Sequence, residues 1–141
     1  MILNCNFEEL RALATGAELL LRDHHQSSDG GIVAPSAAMA EVEQLQHRLV
    51  GDITITTLVE QRAIRKAVAA ICEDLHDRLE EKVIRFHPAH EEAVSLYFDY
   101  AHTFAVLTRL DEMGAEMNAM IELTTGHPVT DAAAATYSFP D

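Results

Sequence analysis

From Thr57 to Gly126 the sequence carries helical patterning that is broken once, at His87-Pro88, and so long a helical stretch leaves few ways to fold. Thr57-Leu58-Val59-Glu60 reads as a capping box, in which the Thr hydroxyl and the Glu carboxylate satisfy free backbone N–H groups at a helix start. The apolar side chains that follow, Ile64, Val68, Ile71, Leu75 and Leu79, recur at helical spacing, with Lys66, Glu73, Asp77, Glu80 and Glu81 elsewhere on the circumference. Pro88 suits the first turn of a further helix, His90-Glu91-Glu92 follows it, and Gly126 is the natural stop. Helices over 58–86 and 89–124 would be roughly 43 and 54 Å long at ~1.5 Å per residue, and the two-residue connection makes them antiparallel neighbours. The expected fold is therefore all-α, a four-helix arrangement built on this long hairpin.

Two earlier helices complete it. Asn6 and Glu9 form a second capping box, opening a helix to about His25 whose core side would carry Phe7, Leu10, Leu13, Ala14, Ala17, Leu20 and Leu21. Residues 26–35 read as a polar, glycine-rich loop. A helix from Ser36, as its cap, to Val50 ends at Gly51, and Ile53-Thr54-Ile55-Thr56 alternates like a short strand. After Gly126 the tail turns, with a helical turn at Ala132–Ala135 and extended chain beyond. A chain of 141 residues without an internal repeat reads as one domain, 1–141.

Charge narrows the partners. Ten basic against 23 acidic residues give a formal charge of −13, which repels phosphate backbones and anionic lipid surfaces, so neither nucleic acid nor membrane is an expected partner. No segment has the length and apolarity of a membrane span, and Cys5 and Cys72 form no metal or redox motif; a soluble cytoplasmic protein with reduced thiols is expected.

The last long helix is unusual. Val94, Tyr97, Phe98, Tyr100, Ala101, Phe104, Ala105 and Leu107 spread over about 200° of its first half, twice the ~100° of an ordinary core-facing side. Beyond Leu110 the apolar set Met113, Met117, Met120 and Ile121 falls on nearly the opposite side. The simplest cover for it is a second copy of the chain, so these four residues are the expected homodimer interface.

Eight histidines suggest one chemistry. Glu73-x-x-His76 and Asp99-x-x-His102 have the carboxylate–histidine spacing that places both groups on one side of a helix, and a hairpin turning at 87–88 would bring the two pairs to one level. The pattern resembles that of ferritin-like carboxylate proteins, with Asp99 where that family carries Glu. The resemblance implies a divalent metal, iron, manganese or zinc, held by Glu73, His76, Asp99 and His102. Glu73-Asp74-x-x-Asp77 and Asp77-x-x-Glu80 resemble the Mg²⁺-binding acids of all-α nucleotide pyrophosphohydrolases, a third alternative. No phosphate-binding loop, nucleophile elbow or triad is visible. The leading expectation is a non-enzymatic helical interaction or structural module that pairs with itself or another protein. The metal-binding bundle comes second.

Overall fold

The computed structural model describes residues 1–29, 38–87 and 90–140. It is a helical arrangement dominated by the expected hairpin, in the order β1 (Ile2–Leu3), α1 (Phe7–Asp29), α2 (Met39–Gln46), β2 (Ile53–Thr54), α3 (Leu58–Arg85), α4 (Glu91–Thr125) and α5 (Asp131–Thr136). Helices α3 and α4 make the most extensive contact, while α1 packs along both and α2 lies against α1 and α3. No helix among the described residues is long and apolar enough to cross a membrane.

The helix ends follow the expected chemistry. Thr57 accepts from the Glu60 amide at 3.1 Å and so caps α3, and Asn6 and Glu9 exchange bonds at 2.8 and 3.0 Å, closing the box at the start of α1. Glu60 itself reaches Thr56 and Arg48 rather than the Thr57 amide. His90 caps α4 by accepting from the Glu92 amide at 3.3 Å, and Gly126 ends it in the left-handed region, with φ 77°, where a side chain would be strained.

Several boundaries differ from expectation. Helix α1 runs on through the polar residues to Asp29, past the expected loop start. Helix α2 stops at Gln46, four residues short, and 47–50 form turns. The Ser36 cap and Pro88 lie outside the described residues. The short strand exists because of a partner that was not foreseen: Ile2 and Leu3 pair antiparallel with Thr54 and Ile53.

The core is continuous through all these elements. Leu13, Ala17 and Leu21 of α1 meet Val42 and Leu45 of α2, Val68, Ile71 and Leu75 of α3, and Val106 and Leu110 of α4 in one buried cluster. Phe7, expected in it, is 74% exposed at the first turn of α1, whereas Ala12 and Gly16 are buried. Gly16 is small for a reason: a Cβ there would lie 2.5 Å from Ile71 Cγ2, so α1 sits close against α3.

Helix α4 does not change its core face. Its inward positions are Ala93, Leu96, Tyr100, Thr103, Leu107, Leu110, Gly114, Met117 and Ile121, alternating in steps of three and four like the seam of a left-handed helix pair, with the fully buried Val106 beside this line. Gly114 neither kinks nor ends the helix. It makes room for Gln61, whose buried side-chain amide donates to the Leu110 carbonyl at 2.7 Å; a Cβ would stand 2.7 Å from that nitrogen. The methionine interface is corrected accordingly. Met117 and Ile121 are fully buried within this chain, and Met113 and Met120 are half-buried against the same cluster. The same cluster takes in β1, β2 and the C-terminal segment. Leu3, Ile53, Ile55, Ala134 and Phe139 join that cluster, the Phe139 amide donates to the Thr56 carbonyl at 2.7 Å, and Tyr137 meets Thr124 at 3.3 Å.

Candidate functional site

The four expected metal ligands do not converge. Asp99 and His102 turn toward α1: the charges acting on Asp99 are Arg11, His102 and Glu8, and His102 in turn acts on Glu9. Burial is the largest influence on Asp99 and pushes its carboxyl above the ordinary range. His76 lies on the other side of the α3–α4 seam, its ring 5.5 Å from that of Tyr100, and Glu73 is exposed. Tyr100, on the inward side of α4, thus occupies the level where the two pairs were expected to meet.

Among the described residues the histidine and acid groups that do cluster are His76, Asp77 and Glu80, with His76 Nδ1 at 3.7 and 4.0 Å from the two carboxylates. All three are exposed on one helix. The expected Mg²⁺-type acids also separate. Asp74 leaves that group to bind Arg78 at 2.7 Å, and Arg78 also holds Asp23 of α1.

A groove of about 450 Å³ between α1, α3 and α4 is floored by Leu19 and Leu96 and flanked by Arg22, Arg78, Lys82, Glu92 and Asp99. Two of its three cations are engaged within the fold, Lys82 with Glu92 at 2.7 Å and Arg78 as above, while Arg22 is exposed 3.9 Å from Asp23. Such paired walls offer little to a charged ligand.

A half-buried ion pair that the sequence did not reveal ties α1 to α4. Glu9, its side chain 6% exposed, takes both terminal nitrogens of Arg109 at 2.7 and 2.8 Å, and Arg109 also donates to the Asn4 carbonyl at 2.9 Å. Burial alone would raise the Glu9 pKa, but the Arg109 and Asn6 hydrogen bonds outweigh it and hold the carboxyl below its usual range. Burial likewise raises the Cys5 and Cys72 thiols, leaving both less reactive than a free cysteine.

What the fold leaves uncovered is the outer face of α4. Val94, Tyr97, Phe98 and Phe104 are 40, 56, 55 and 50% exposed, and with Ala101 they recur at steps of three and four directly opposite the inward seam. From Ala93 to Thr108 the acid and base side chains are Asp99 and His102, both on the side toward α1. In a chain of charge −13 this outer strip is uncharged and aromatic. Rings of Tyr100 and Phe104 pack 6.0 Å apart, and those of Tyr97 and Phe98 6.1 Å apart. The sequence did hold a signal for it: the 200° spread is two interleaved series, one turned inward and one outward.

Comparisons with protein families, with curated proteins and with solved structures return no match.

Proposed function

We propose that this chain is a non-enzymatic helical interaction module of the cytoplasm that pairs with a second copy of itself through the outer face of α4. The observation that carries the reading is the exposed series Val94, Tyr97, Phe98, Ala101 and Phe104, set opposite a complete core seam on the same helix. A surface helix needs one apolar side, and the second has no role within the described fold.

The area fits such a partner. An aromatic side chain carries about 150–250 Å², so three of them half-exposed, with Val94 and Ala101, present on the order of 400 Å² of apolar surface. That suits the apolar centre of an ordinary interface of about 800 Å² per partner, with a polar rim supplying the rest. Two chains of −13 repel at long range, and the strip keeps that cost down because it buries no like charges where the copies would meet.

Replacing Phe98 by Glu tests the reading. Light scattering after size exclusion at tens of micromolar should give a dimer mass for the wild type and a monomer mass for Phe98→Glu. Since Phe98 is exposed in the monomer, the variant's melting curve should match that of a wild-type monomer within about 0.5 kcal/mol. A monomeric wild type, or a variant that stays dimeric, would reject the surface.

A further inference from the structure

We infer that the two copies pair antiparallel, with the two-fold axis passing beside Ala101; this rests on the self-association proposed above. Along the exposed strip Val94, Ala101 and Thr108 form the central line, spaced by sevens. Tyr97 and Phe104 lie on the flank toward α3, and Phe98 and Ala105 on the flank toward α1. A two-fold axis across the helix sets each flank against itself with its direction reversed. Ala101 then meets Ala101 of the partner subunit, where two small side chains let the backbones approach. Tyr97 packs against Phe104 of the partner subunit as an aromatic pair, and Phe98 packs over Ala105 of the partner subunit, large against small.

The ends of the strip choose the direction. Beyond Thr108 the central line continues to Glu112, and before Val94 it reaches the start of α4, where His90 is the N-cap. A parallel pair would set Glu112 against its own copy. In the antiparallel pair Glu112 faces His90 of the partner subunit, near the positive N-terminal end of that helix. His90 suits this role. Its Nδ1 accepts from the Glu92 amide at 3.3 Å, which leaves Nε2 as the donor nitrogen, and its ring is stacked 4.9 Å from that of Phe86.

Cross-linking in a Cys5→Ser background tests the orientation, Cys72 being buried. Val94→Cys and Thr108→Cys, treated with a short bismaleimide, should cross-link when mixed and remain uncross-linked when alone, because two antiparallel copies of position 94 stand about 21 Å apart along the helix. Ala101→Cys should cross-link to itself. Val94→Cys that couples to itself as readily as to Thr108→Cys would overturn the antiparallel arrangement while leaving self-association intact. A dimer by light scattering that cross-links at none of the three positions would reject the α4 face itself. Glu112→Gln gives an independent sign without added cysteines. The antiparallel pair should dissociate about two- to five-fold more readily, whereas a parallel pair, relieved of facing carboxylates, would tighten.

Discussion

Met117→Glu is expected to unfold the monomer instead of merely releasing a partner. Met117 has no exposed surface and lies in the same cluster as Ile121, Leu58, Ala134 and Phe139. A carboxylate placed there has no cation to pair with, so it either stays charged at a penalty on the order of 3–5 kcal/mol or takes up a proton and remains an uncompensated polar group. Typical domains have about 5–15 kcal/mol in all, so the loss is a large fraction of the total. A thermal melt followed by far-UV circular dichroism should show a collapsed or strongly lowered transition. A native-like melt with a reduced particle mass would instead return Met117 to an interface between chains.

Arg109→Ala should have the second largest effect, and its signature is in the pH dependence. Removing the guanidinium strands Glu9 in a site where its carboxylate is nearly covered, at a cost of about 2–4 kcal/mol once the partial exposure of Arg109 is allowed for. In the folded wild type the Glu9 pKa is depressed, so its contribution is present above the unfolded carboxylate pKa and is lost as the pH falls through the folded value. Without Arg109 the burial contribution is left opposed chiefly by the Asn6 cap, so the Glu9 pKa rises and acid unfolding begins at higher pH. Glu9→Gln combined with Arg109→Ala should recover part of the loss, since a neutral amide can still cap the Asn6 amide. Urea titrations of the three proteins between pH 3 and 8, a range set by the ordinary carboxylate pKa of about 4.3, provide the check. Equal losses for the single and double variants at every pH would mean that the pair contributes packing and no electrostatic coupling.

The hairpin was legible because Thr57, His87-Pro88 and Gly126 are local signals, and caps and breakers act through the backbone of a few neighbouring residues. The stripe through Ile64, Val68, Ile71 and Leu75 was legible for the same reason, since one repeating period identifies one covered side. Helix α4 misled because its inward seam runs through Ala93, Thr103 and Gly114, residues that hydrophobicity does not mark as core. Gly114 is inward only because Gln61 needs the space. Likewise, nothing near Met117 in sequence announces that Leu3, Ala134 and Phe139 share its buried cluster. That grouping depends on contacts far apart in sequence, such as the Met1 amine on the Pro140 carbonyl and the Phe139 amide on the Thr56 carbonyl. The Glu73, His76, Asp99 and His102 grouping does not assemble because Tyr100 takes the inward position between the two pairs, with His76 on one side and Asp99 and His102 toward α1.

The two faces of α4 can be tested together by a dilution series followed by NMR on the ¹³C-labelled protein. As the concentration rises through the association range, the resonances of Val94, Tyr97, Phe98, Ala101 and Phe104 should shift or broaden together, while those of Met117 and Ile121 stay unchanged. Concentration dependence confined to Met113, Met117, Met120 and Ile121, or none up to millimolar protein, would contradict self-association through the outer face.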